Sequence, residues 1–114
     1  MRIEKPWGYE FIWAKTDKYV GKILHINAGH KLSLQYHEVK DETIMVKSGK
    51  LDFHYDGHHF TLHEGESFHI KPGKIHRMSA NDHDVEVIEV STPELDDVVR
   101  LSDAYGRTPE CGAV

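Results

Sequence analysis

Short segments with the character of β-strands follow one another with room only for turns between them. They are Tyr19 to Asn27, Lys31 to Tyr36, Thr43 to Lys47, Lys50 to Tyr55, His59 to His63, Ser67 to Lys71, Ile75 to Met78 and Val85 to Ser91. Each is rich in β-branched and aromatic residues and bounded by Gly, Asp, Asn or Pro. Asp56-Gly57 is a hairpin signal, because both residues tolerate positive φ. This succession predicts an antiparallel sandwich or barrel. Near the start, Trp7, Tyr9, Phe11 and Trp13 alternate with other residues at strand period, which predicts a further edge segment within residues 1 to 15. Only Thr92-Pro93-Glu94-Leu95-Asp96-Asp97 reads differently. A capping threonine, proline at the first helical position and acids in the first turn predict a short C-terminal helix. With 114 residues in all, one domain over residues 1–107 is expected, followed by a flexible tail over 108–114.

A formal charge of −5 and the lack of any basic stripe argue against nucleic acid as a partner. No apolar stretch approaches the ~20 residues of a membrane span. Met1-Arg2-Ile3-Glu4-Lys5-Pro6 has no apolar signal region, and the one cysteine, Cys111, has no internal partner. Together these features predict a cytoplasmic protein.

Two spaced motifs carry the chemistry: Gly29-x5-Gln35-x-His37-x4-Glu42-x6-Gly49, then Gly65-x7-Gly73-x2-His76-x4-Asn81. In a strand, residues two apart share a face, so Gln35 and His37 point together while Tyr36 points away. Glu42 begins the next strand after a polar turn, and His76 begins another after Pro72-Gly73. In a curled sheet these four side chains converge. An amide oxygen, a carboxylate and two imidazoles suit one divalent transition metal: Zn, Mn, Fe, Co or Ni. A lone strand histidine is ordinarily just hydrogen-bonded; the joint arrival of four donors beside regularly spaced glycines is what favours a metal. The remaining histidines, among them His54, His58, His59, His63, His69 and His83, are expected on outer surfaces or toward a partner subunit.

The paired motifs resemble those of the cupin family, with Gln35 in place of the first histidine, Lys71 in the proline position and Asn81 one residue late. Further segments narrow the resemblance. Leu32-Ser33-Leu34-Gln35-Tyr36-His37, Lys5-Pro6-Trp7-Gly8, Lys22, Gly65-Glu66-Ser67, Gly73-Lys74-Ile75-His76-Arg77, Ile88-Glu89-Val90 and Asp103-Ala104-Tyr105-Gly106-Arg107 are similar to the isomerase domain of type II phosphomannose isomerases. The family implies an all-β fold, a small single-domain jelly-roll barrel (double-stranded β-helix). It also implies metal-dependent aldose–ketose isomerisation of a sugar or sugar phosphate through a cis-enediol. Two departures bear on the substrate: Glu38-Val39-Lys40 replaces a histidine-rich run with arginine, and Thr43-Ile44 replaces His-Trp.

An isomerase needs a group to carry the proton and, for a phosphorylated sugar, a cationic anchor. Lys22 shares a strand face with Leu24 and Ile26. Pattern alone allows a surface position, whereas the resemblance places Lys22 in the site. A metal-bound hydroxide, Lys22 and Glu10 are the candidate bases. Arg107 and Arg77 are candidate phosphate clamps, although Arg77 alternates with His76; Tyr36 and Trp7 are candidates for the mouth, with core packing the default for Trp7. Arg100 is expected on the helix surface or in a salt bridge. The competing readings are a non-catalytic carbohydrate-binding cupin and an Fe(II)-dependent oxygenase. Pairing through the N-terminal edge predicts a homodimer.

Overall fold

A computed structural model describes residues 1–106. Its strands are β1 (Arg2–Lys5), β2 (Gly8–Lys15), β3 (Val20–Ile26), β4 (Leu34–Tyr36), β5 (Glu42–Ser48), β6 (Leu51–Tyr55), β7 (His58–Leu62), β8 (Ser67–Ile70), β9 (His76–Ser79), β10 (Val85–Ser91) and β11 (Val99–Ser102). They form two antiparallel sheets, ordered β1-β2-β3-β10-β5-β8 and β11-β4-β9-β6-β7. The fold is the all-β jelly-roll arrangement expected, and the predicted strands match β3 to β10 to within a few residues. The N-terminal alternation forms two strands, β1 and β2, with β1 at the edge of the first sheet.

Period-two alternation sets the walls. On β10, Val85, Val87, Glu89 and Ser91 are buried; on β3, Val20, Lys22, Leu24 and Ile26 are. Of these, Leu24, Ile26, Val85 and Val87 join Ile44, Val46, Leu51, Phe53, Ile70 and Met78 in one core between the sheets. Phe53 lies at its centre, with Phe60 and Phe68 set edge-on at 5.7 and 5.3 Å between centroids. The β6–β7 hairpin closes through Asp56 and Gly57 at φ 51° and 83°, as the dipeptide predicts.

The predicted C-terminal helix does not form; no helix occurs among the described residues. Residues 93–98 make tight turns, including Leu95 N–H to Pro93 O and Val98 N–H to Asp96 O, and Val99–Ser102 pairs with β4. One of the acids that suggested a helix start, Asp97, serves another loop. The Asp97 carboxylate accepts the N–H groups of Glu38, Val39 and Lys40 at 3.0, 2.7 and 2.8 Å. Three such bonds outweigh a marginal two-turn helix. Arg107, Cys111 and the expected tail over 108–114 lie outside the described residues.

Candidate metal centre

The two sheets bring one row of residues each to face the other. Across the second sheet, Arg100, Gln35, His76 and Tyr55 are successive cross-strand partners. Across the first, Lys22, Glu89 and Ile44 are. Between these rows lies a cavity of about 440 Å³, lined among others by Lys5, Trp7, Glu10, Lys22, Gln35, His37, Lys40, Glu42, Glu89 and Arg100. Leu24, Leu32 and Met78 belong both to its wall and to the core.

His37, just after β4, Glu42 at the head of β5 and His76 at the head of β9 each present a donor atom within 4.8 Å of the other two. All three are buried. His37 Nε2 stands 2.7 Å from Glu42 Oε2, and His76 Nε2 stands 3.9 Å from the same oxygen. The opposite ring nitrogens are held by backbone: His37 Nδ1 against Asp97 O at 2.6 Å and His76 Nδ1 against Lys74 O at 2.9 Å. A carbonyl only accepts, so each Nδ1 carries the proton and a neutral ring turns a lone pair inward from Nε2. These two Nε2 atoms and Glu42 Oε2 have no hydrogen-bond partner among the described residues. Three buried electron-pair donors facing one point repel unless a cation lies between them, and this orientation by carbonyls is how metal-binding histidines are held. The residues present therefore fit a divalent metal.

Gln35 lies in the same wall, its Oε1 accepting the Ser33 hydroxyl at 2.7 Å. Glu10 and Lys22 also meet there, both buried, with Lys22 Nζ 3.4 Å from Glu10 Oε1. Two of the expected substrate-binding residues do not reach the cavity. Arg77 donates from Nε to Leu32 O at 2.9 Å and from an Nη to Ser102 O at 3.1 Å, tying β9 to the neighbouring segments. Tyr36 follows Gln35 on a strand and is not among the lining residues, as alternation requires. Arg100, expected from sequence on a helix surface or in a salt bridge, sits on β11 opposite Gln35 and lines the cavity.

Sequence reasoning passed over Lys40 and Glu89. Both are buried, with Lys40 Nζ 3.1 Å from Glu89 Oε2 and 3.9 Å from Glu42 Oε1. Glu89 was findable: it follows Val85 and Val87 on the inward face of β10. Burial pushes its carboxyl up, Glu42 adds to this, and Lys40 and Lys22 only partly oppose it, leaving it at about 7. Glu42 goes the other way. Burial again raises it, but the adjacent His37 ring and the Lys40 charge more than offset this and bring it down to about 2. Lys40 is desolvated, yet Glu89 and Glu42 hold its pKa above the usual lysine value. Burial lowers the pKa of His76, which favours the neutral ring a metal requires.

Residues 22–91 match the family model described as the cupin domain. The chain belongs to the cupin family. Among curated relatives, it is 34% identical over 113 residues to the alginate biosynthesis protein AlgA of Pseudomonas aeruginosa, covering 95% of this chain and 23% of that protein. It is 36% identical over 110 residues to the mannose-1-phosphate guanylyltransferase of Escherichia coli K12, covering 92% of this chain and again 23% of the relative. The chain thus spans about a quarter of the length of these relatives. Among solved structures, KdgF from Halomonas sp. superposes on this cupin with a TM-score of 0.77 at 22% identity, over 84% of this chain and 88% of that one. No helix among the described residues is long and apolar enough to cross a membrane.

Proposed function

We propose that this cupin is a metal-dependent aldose–ketose isomerase acting on a sugar phosphate of the mannose 6-phosphate type. The observation that carries the reading is the inward-facing donor set of His37, Glu42 and His76 within a cavity lined by both cations and carboxylates. The relatives named for mannose 1-phosphate and alginate chemistry support the substrate class. A volume of about 440 Å³ falls within the range of small-molecule sites.

His37, Glu42 and His76 would hold the metal, with Gln35 as the fourth ligand. Zn, Mn, Fe, Co and Ni all suit this set. Bound there, a divalent ion supplies Lewis-acid stabilisation to the sugar oxygens as negative charge develops on them. The chain's own residues do the rest. The Glu10 carboxylate accepts the proton from C2 and returns it to C1, while the hydroxyl proton of O2 passes to O1, so the carbonyl moves from C1 to C2 with no net change in protons. Lys22, ion-paired with Glu10, fixes that carboxylate and offsets the charge that develops on the substrate. Lys5 and Arg100 present cations to the phosphate, a role Arg100 takes in place of Arg77 and one that Arg107 would share. The apolar wall of Trp7, Leu24 and Leu32 limits water around the reacting carbons.

Proton NMR of mannose 6-phosphate and fructose 6-phosphate with Mn-, Zn- and Co-loaded protein tests the reading. Interconversion that is lost in Glu10→Gln supports it. Line broadening of the sugars without product would instead identify a carbohydrate-binding cupin. The same proposal takes the protein as a cytoplasmic homodimer paired through the β1 edge, which light scattering would check.

A further inference from the structure

The outer face of the second sheet carries another group of metal-ligating side chains. On β6, Leu51 and Phe53 point into the core, so Asp52 and His54 share the outer face. His59 on β7 is the direct cross-strand partner of His54, and the tight Asp56-Gly57 turn fixes that register. The two imidazoles stack at 3.9 Å between centroids with planes 12° apart. Asp52 meets His59 Nε2 through Oδ1, and its Oδ2 accepts from Asn81 Nδ2 at 3.4 Å. One donor atom from each of Asp52, His54 and His59 lies within 4.8 Å of the other two. His54 Nδ1 is buried without a hydrogen-bond partner.

We propose that Asp52, His54 and His59 form a second site for a divalent cation of the zinc, nickel or copper class, distinct from the barrel trio. Two imidazoles are borderline donors of the kind those ions select, and a carboxylate oxygen beside them completes a set that zinc also takes. A cross-strand pair plus a residue two positions along one strand places all three on rigid backbone, so little ordering is needed on binding. Arg77, the cross-strand partner of His54, directs its guanidinium away to the Leu32 and Ser102 carbonyls. Solvent reaches the cluster through His59, whose side chain is 57% exposed. The bound ion keeps open positions for water or for a donor from another molecule, and it exchanges faster than one held in the barrel. The site stands independently of the isomerase reading.

The test uses the whole chain stripped with chelator and dialysed against Zn(II) or Ni(II), with metal analysis. Wild type takes up two equivalents, and the His37→Ala/His76→Ala variant keeps one. Adding His59→Ala to that variant removes the remaining equivalent, and adding Asp52→Asn instead weakens it at least tenfold. His83→Ala, at an outer histidine outside the cluster, leaves it in place. In wild type, which needs no variant to fold, Zn(II) shifts the imidazole ¹⁵N resonances of His54 and His59. Uptake that survives both His59→Ala and Asp52→Asn overturns the proposal, as do unmoved His54 and His59 resonances at saturating Zn(II). Loss of the barrel equivalent alone leaves it standing, so the two sites fail separately.

Discussion

The barrel trio and the outer-face trio contain the same ligand types, two histidines and one carboxylate, yet the protein treats them in opposite ways. In the barrel, each imidazole is aimed by a backbone carbonyl, and the carboxylate is pressed between His37 and Lys40. On the outer face, no carbonyl bond among the described residues fixes either ring; the imidazoles stack on one another, and the carboxylate rests on His59 and Asn81. Donor type decides which ions can bind. Burial and the surrounding hydrogen bonds decide how firmly, because they settle in advance the tautomer and direction of each lone pair.

That difference predicts a hierarchy of effects. The largest is in the barrel: His37→Ala or His76→Ala is expected to remove the tightly held metal entirely, as read by elemental analysis after dialysis, whereas Cys111→Ala retains it. If the tight equivalent survives loss of both histidines, the barrel assignment fails. A smaller effect should come from a residue that donates no side-chain atom to the trio. Asp97→Ala deletes the carboxylate that accepts three N–H groups of residues 38–40, in the segment whose backbone oxygen also orients His37. Metal affinity should fall by about 10- to 100-fold with the fold intact. An unchanged dissociation constant by competition with a chelator would show that the loop is held by other means.

Asp97 also marks where the sequence stopped being legible. The strands could be read because alternation of buried and exposed residues is a local, period-two signal that the sheets preserve. The trio could be read because its members flank turns that the sequence announces: His37 and Glu42 lie on either side of the polar stretch 38–41, and His76 begins a strand after Pro72-Gly73. Lys40 could not, because it lies in a loop and turns inward only in answer to Glu42 and Glu89, the second of which is 49 residues away in the chain. The helix-surface placement of Arg100 fell together with the helix. Thr92-Pro93-Glu94 is a genuine local start signal, overridden when Asp97 found amides on another loop and Val99 found an edge on β4. Arg77 and Tyr36 failed for the opposite reason: alternation already placed both away from the cavity, and the resemblance to a family could not move them into it.

Charge burial within the barrel also sets a response to pH. In chelator-treated protein, Glu42 and Glu89 act in opposite directions. Glu42, brought down to about 2 from 4.5, contributes stability that is present above about pH 4.5 and lost as pH falls toward 2. Glu89, raised to about 7 from 4.5, contributes stability that is present below about pH 4.5 and lost as pH rises through 7. Thermal melts between pH 4.5 and 8 should therefore show a downward drift in wild type that flattens in Glu89→Gln. A drift of unchanged slope in that variant would assign it to another group.

The smallest expected effect is on the outer face and concerns stability alone. His59 is mostly exposed, and its ion pair with Asp52 is open to water, so His59→Ala should change metal-free stability by no more than about 0.5 kcal/mol. Added Zn(II) makes the same substitution visible. An ion that binds only the folded chain raises its melting temperature in proportion to the logarithm of its concentration. In the His37→Ala/His76→Ala background, where the barrel no longer contributes, Zn(II) should still raise the melting temperature when His59 is present and not when it is alanine. Equal melting shifts with and without His59 would mean that stacked rings and a nearby carboxylate do not suffice for binding. The carbonyl bonds that orient His37 and His76 would then be what turns such a donor set into a site.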